Sequence, residues 1–291
     1  MSNALFRLRG GALAIAVALL LGACTNPAAP PAPPTPSPSE SVTPTPTEPS
    51  ASPVTVETFF AHLQPTRTTL TSERHTLTVG ATDDPVAVAV AALVDGSLLP
   101  ADPDYANLWA EGNARLLSTA RDGATLLIDL ELGGLQVGAE AESIAIAQLV
   151  WTAWAIDPTI ADVQFLVDGG SAETLAGHVD ITMPIGREPA EAVLSPLQIL
   201  SPAEGTSVMS PVVADGVACV FEAAFSWTLE GPDGSVVDGS AMAREACPAR
   251  AAWTLELGAL APGDYVLTVI EHSAMDGSIV STDSRAFTVV G

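Results

Sequence analysis

Residues that could do chemistry are few in this chain and far apart. The four histidines, His62, His75, His178 and His272, sit in separate segments, with no His-x-x-x-His pair and no Cys-x-x-Cys. A zinc centre needs three or four convergent ligands, so no metal site is expected. No Walker loop or dinucleotide glycine pattern is present either, so no cofactor is expected. Asp129 and Glu131 have the character of a carboxylate pair for glycosidic cleavage. Two residues apart on an alternating strand, they share one face, and the solvated side of a half-buried strand accounts for them better. Asp-Gly-Ser recurs at Asp95, Asp233 and Asp276, outside the Gly-x-Ser-x-Gly frame of a nucleophile elbow. Asp-Gly there reads as turn chemistry, because glycine tolerates positive φ. The acidic loop Ala101-Asp-Pro-Asp-Tyr105 offers oxygens to Ca²⁺ but lacks the ordered ligands and glycine of an EF-hand loop. No catalytic residue is therefore expected, although a triad assembled from distant segments stays open. Trp109, Trp151, Trp154, Trp227 and Trp253 read as core rather than as a sugar platform, with an exposed Trp109 the one candidate for a partner surface.

The three cysteines are Cys24, Cys219 and Cys247. Arg7 and Arg9 precede an apolar run from Gly11 to Leu21, which is too short to span a bilayer comfortably. The run ends in Leu21-Gly22-Ala23-Cys24, an aliphatic residue, two small residues and a cysteine. This resembles the lipobox of bacterial lipoproteins. The resemblance implies a signal peptide over 1–23 and diacylation of Cys24, where two acyl chains hold stably and one would not. The chain would then be lipid-anchored at the cell membrane, facing outside the cytoplasm. The alternative is a plain secretory signal with a chance cysteine. No later segment reaches ~18 uninterrupted apolar residues, so no second membrane pass is expected. Cys219 and Cys247 then remain as an even pair in an exported domain, which favours a disulfide. Two buried thiols are the alternative.

Charge excludes some partners. The 291 residues carry 34 Asp plus Glu against 10 Arg and no Lys, for a formal net charge of −24. Such a surface repels phosphate backbones, so no nucleic-acid binding is expected. Docking onto anionic headgroups through basic patches is excluded on the same ground, which leaves the lipid anchor as the membrane contact.

Residues 24–53 form a Pro-, Ser- and Thr-rich stretch with almost nothing apolar to bury, so it reads as a disordered, extended stalk. From Val54 the composition turns globular. Val54-Thr-Val-Glu-Thr-Phe-Phe60 predicts a strand. Asp84 to Leu99 predicts a helix opened by Asp-Pro. Leu126 to Leu132 alternates as a strand does. Ala139 to Ala155 predicts a helix with Ile144, Ala147, Trp151 and Trp154 on one face, stopped by Asp157-Pro158. Val163 to Gly169 predicts a strand entering a glycine turn. Strands and helices thus mix over 54–183, as in an α/β or α+β domain. A linker follows over 184–194. Residues 195–291 hold short apolar runs separated by Ala203-Glu-Gly205, Gly231-Pro-Asp-Gly234, Ala261-Pro-Gly-Asp264 and Asp276-Gly277. Turns at intervals of roughly ten residues predict an all-β sandwich.

The first region resembles a GerMN domain of the spore-germination type. The opening strand, Asp84-Pro85, the stretch from Leu98 to Trp109, the Arg121-Asp-Gly123 turn, Ile128-Asp129-Leu130, Gln148 to Thr152 and Val167-Asp168-Gly169 carry the likeness. The second region resembles the immunoglobulin-like domain of bacterial spore germination. Here the likeness rests on Ile199-Leu-Ser-Pro202, Val208 to Val212, Trp227, Gly263-Asp-Tyr265, Ser273 to Gly277 and Phe287 to Val290. The Cys219 and Cys247 pair is not part of that family's general pattern. These resemblances imply a non-enzymatic envelope lipoprotein that binds other envelope proteins or peptidoglycan, linked to germination- or sporulation-type assemblies. Two rival readings stay open: a solute-binding lipoprotein of a transporter, and an envelope hydrolase.

Overall fold

The computed structural model describes residues 51–291 apart from residue 135. The signal-peptide segment, Cys24 and most of the stalk lie outside the described residues. What is described is a mixed α/β domain followed by an immunoglobulin-like β-sandwich.

The first strand is buried on both faces. β1 (Ser52–Leu63) pairs antiparallel with β2 (Thr68–Val79) over its whole length. Phe59, Phe60 and Ala61 are consecutive and all buried, so each face of the strand meets a core. α1 (Pro85–Val94) starts where the sequence says it should. Asp84 accepts the Val86 N–H at 2.9 Å, and Pro85 occupies the first turn, where its missing donor costs nothing. The expected run to Leu99 stops at Val94, because Asp95-Gly96 turns the chain. Gly96 takes φ 74° against the Ala110 backbone, a place with no room for a Cβ.

α2 (Ala139–Ile156) is the crossover between two parallel strands, β5 (Thr125–Glu131) and β6 (Asp162–Val167). β4 (Arg115–Asp122) flanks β5, and β7 (Ile185–Gly186) flanks β6. Ile144, Ala147, Trp151 and Trp154 do lie together, against Phe59 of β1. Trp109 lies in the core, as expected, and the alternative of an exposed partner surface falls away. It is fully buried, with its indole Nε1 donating to the Ala145 carbonyl at 3.1 Å. It pins α2 to the loop after β3 (Tyr105–Ala106) and presents no surface.

The expected linker carries structure. β7 joins the first domain's sheet, and α3 (Ala190–Val193) follows at once. Leu194 forms a parallel bridge with Leu70, and the Ser195 N–H donates to the Leu70 carbonyl at 2.7 Å. The chain therefore enters the second domain while still bonded to the first.

That domain packs a sheet of β13 (Ala251–Gly258), β10 (Val212–Ala218) and β8 (Leu197–Ser201) against a five-stranded one. The latter runs β12 (Val236–Met242), β11 (Ala224–Glu230), β14 (Gly263–His272), β15 (Ile279–Val290) and β9 (Thr206–Met209). Trp253 and Phe225 meet across the sandwich with ring centroids 5.3 Å apart. Gly216 faces Trp253 closely enough that any Cβ would strike its indole, so a bare backbone lets the ring lie flat. Cys219 and Cys247 are bonded, with Cα atoms 4.4 Å apart and a sequence separation of 28. In the chain-entropy model a loop of that length contributes about 3–4 kcal/mol. Reduction is expected to add two hydrogens to the intact mass and to lower unfolding stability by about that amount. An unchanged mass would refute the bridge.

Candidate functional site

The residues singled out in the sequence do not converge. The three Asp-Gly-Ser motifs are turns. In each, the aspartate Oδ1 accepts the serine N–H, at 2.8 Å for Asp95, 3.0 Å for Asp233 and 3.1 Å for Asp276, and each glycine takes positive φ. Asp129 does not sit on a solvated face as expected. It is 9% exposed, and its Oδ1 accepts the Gly169 N–H at 3.0 Å, holding the turn after β6. Glu131 lies 3.8 Å from Arg115 at the surface. The pair is thus divided between a turn support and a surface contact. His75 bonds Glu73, His178 bonds Glu142, and His272 faces the Gly277 carbonyl. Among the described residues, no three His, Cys, Asp or Glu side chains are grouped to hold a metal ion.

The acidic loop is what matters. Asp102 sits at 1% exposure and bonds Arg285 of β15, in the other domain. Arg285 is itself only 4% exposed and is surrounded by acceptors. It donates to Asp283 Oδ1 at 3.3 Å, to the Tyr105 hydroxyl at 2.6 Å and to the Ile199 carbonyl at 3.0 Å. The Tyr105 O–H donates to Asp283 Oδ1 at 2.7 Å, and Asp283 Oδ2 accepts the Ile199 N–H at 2.6 Å. Ser284 donates to Asp104 at 2.5 Å. The loop is anchored from behind by Glu73, which accepts the Ala101 and Asp102 N–H groups at 2.8 and 2.9 Å. Beside it, Gln64 exchanges two bonds with the Thr282 backbone, both at 2.9 Å. Farther along, Gln198 donates to the Ser72 carbonyl at 2.7 Å.

This is a buried seam between the domains in which nearly every polar group has a partner, the condition under which such networks rigidify a structure. Its electrostatics follow from one guanidinium serving two carboxylates. Burial pushes Asp102 up to about 7 and Asp283 up to about 6, with Arg285 opposing in both cases. Burial pulls His62 down to about 4, so this ring is neutral at pH 7; it packs edge-on against Tyr105 at 4.8 Å.

Two openings flank the seam. One is a cleft of about 550 Å³ lined by Glu57, Glu73 and Arg74 from the first domain and Glu204 and Asp215 from the second. The other, about 260 Å³, is lined by Gln64, Arg67, Arg250, Glu271 and the disulfide. Arg250 is bonded to the Ser195 carbonyl and, at 3.1 Å, to Gln198 Oε1, and burial pulls it down to about 10. Apart from the two cysteines, none of the groups lining these openings was marked by the sequence, since their partners lie in distant segments, 52 to 55 residues away for Arg250 and 124 to 125 for Arg67.

Residues 58–173 match the family model described as sporulation and spore germination, and residues 197–278 match that described as the immunoglobulin-like domain of bacterial spore germination. Both are germination-associated domain families rather than enzyme families. No curated protein matches the chain. Among solved structures, a candidate lipoprotein of Clostridium perfringens is 21% identical, over 46% of this chain and 87% of that one, with a TM-score of 0.29. The tandem GerMN domains of the sporulation protein GerM from Bacillus subtilis are 15% identical, over 48% of this chain and 45% of that one, with a TM-score of 0.35.

Proposed function

We propose that this chain is a lipid-anchored envelope protein that works by binding, with its two germination-type domains acting as one rigid body on a stalk. The observation that carries this reading is the buried Arg285 hub. It fixes the second domain against the first by binding Asp102 and Tyr105 of the first beside Asp283 and the Ile199 carbonyl of the second, which suits a presented surface better than an opening and closing enzyme. The family matches support a germination- or sporulation-type role. The net charge of −24 and the acidic lining of the larger cleft favour a partner presenting basic groups, either another envelope protein or amine-bearing peptidoglycan. The signal-peptide and lipobox resemblance supplies the anchor on Cys24.

Two measurements test this. Cells expressing the full chain are expected to incorporate labelled palmitate into it, and the Cys24→Ala variant to lose the label; equal labelling of both would remove the anchor. In-cell cross-linking of the wild type is expected to yield a reproducible envelope partner whose capture falls as salt rises. Turnover of peptidoglycan by the purified mature chain would overturn the non-enzymatic reading.

A further inference from the structure

The smaller opening at the seam brings both signs of charge together: Arg67 and Arg250, two of the chain's 10 arginines, line it with Glu191 and Glu271. Neither arginine forms an ion pair among the described residues. Arg67 donates to the Ala192 and Glu191 carbonyls, and Arg250 to the Ser195 carbonyl and the Gln198 amide oxygen. Both therefore keep positive charge that no carboxylate neutralises at contact. Facing them in the same wall is Glu271, whose Oε2 is buried and has no hydrogen-bond partner among the described residues. An unpaired buried carboxylate oxygen is costly, so its retention calls for a donor. Burial raises the Glu271 carboxyl, with the Phe221 backbone N–H and the Arg67 charge opposing.

We infer that this cavity, between the β1–β2 turn, α3, and the ends of β14 and β15, binds a small zwitterion of the α-amino acid type. The ligand's carboxylate would lie against the Arg67 and Arg250 guanidiniums, which match it bidentately. Its ammonium would donate to Glu271 Oε2. A volume of about 260 Å³ admits an amino acid or a dipeptide and little more. The walls come from both domains, and the Cys219–Cys247 bridge forms part of them. A ligand here would therefore be read by the rigid unit as a whole.

The test is calorimetric titration of the full chain with a panel of free L- and D-amino acids and dipeptides. Each is paired with its N-acetyl form, which lacks the ammonium, and its amide, which lacks the carboxylate. Saturable binding of at least one zwitterion is expected, weakened about tenfold or more by either block. Glu271→Gln is expected to lower affinity similarly while leaving the unliganded protein at least as stable as wild type, because a neutral amide is less costly to bury. Arg67→Gln is expected to weaken the unblocked and the amine-only ligands unequally, with the larger loss for those keeping a carboxylate. Free amino acids binding without dipeptides, or the reverse, names the source. No binding by any zwitterion, or binding indifferent to both blocks and to Glu271→Gln, overturns the inference.

Discussion

Arg285→Ala is expected to destabilise residues 51–291 by about 3–5 kcal/mol at pH 7, the range for removing one partner of a buried charge pair. The loss does not measure the worth of the Arg285 contacts. It arises because Asp102 and Asp283, both almost wholly buried, are left facing each other with no cation. The variant should show its own pH dependence. In the wild type, burial raises both carboxyls, to about 7 and about 6 from 3.8. A raised acid favours the folded state below its unfolded value, and that contribution disappears as pH rises through the folded one. The seam is therefore expected to weaken between about pH 4 and pH 7. Without Arg285 both carboxyls rise further, since it is the group opposing their shift. The cost of the variant should then be largest above pH 7 and shrink in acid, where the two groups are neutral. Denaturant titrations of both proteins at pH 5 and pH 8 check this. A penalty that does not change with pH would show that the carboxylates are not what is left uncompensated. Replacing Arg285 with methionine in an Asp102→Asn, Asp283→Asn background should recover much of the loss, since an apolar exchange of a whole buried network is often close to neutral.

The sequence made the elements readable and hid what joins them. α2 could be read because one period-3.6 face holds both Ile144 and Trp151. α1 could be read because Asp84-Pro85 is a capping pair. β15 shows the opposite case. Its inward face runs Ser281, Asp283, Arg285, Phe287, Val289, and only the last two are apolar. By pattern the first three belong to solvent. They are buried because that end of the strand meets Asp102 and Tyr105, which lie about 180 residues earlier and supply the matching polar groups. A period-two reading registers side-chain polarity and cannot register a polar partner on another domain. Asp129 departs from its expected solvated face for the same kind of reason, and the partner that seats Trp109 in the core was equally hidden. Each is held by a backbone group that folding brings to it, the Ala145 carbonyl and the Gly169 N–H, and neither partner leaves a side-chain signature.

Glu142 was equally silent in sequence and is expected to be as critical. It lies on the polar-looking start of α2, where an acidic residue near a helix N-terminus is unremarkable. It is nevertheless fully buried. Its two oxygens accept the N–H groups of Ala176, His178 and Val179 at 2.8, 3.0 and 3.0 Å, and His178 Nδ1 lies 2.9 Å away. One carboxylate thus supplies the acceptors for a whole loop and holds Leu175 and Ile181 in the core. Glu142→Ala should cost about 3–5 kcal/mol, because three donors lose their acceptor at once and each buried orphan costs roughly 1–3 kcal/mol before water enters. Glu142→Gln should cost less but still substantially, since its amide presents a donor where an acceptor is required. Burial pushes the Glu142 carboxyl up, but the backbone bonds and His178 together outweigh it and hold the group below its ordinary value of 4.5. A lowered acid stabilises the fold above its unfolded value and loses that contribution as pH falls through the folded one. The gap between wild type and Glu142→Ala is therefore expected to be full at pH 7 and to narrow below about pH 4.5, opposite in sense to the raised carboxyls of the seam. Hydrogen exchange offers the local check. In Glu142→Ala, protection should fall at Ala176, His178 and Val179 while the β-sandwich amides keep theirs. Uniform loss across both domains would mean that the loop and the seam unfold as one unit, and that Glu142 supports more than the segment it touches.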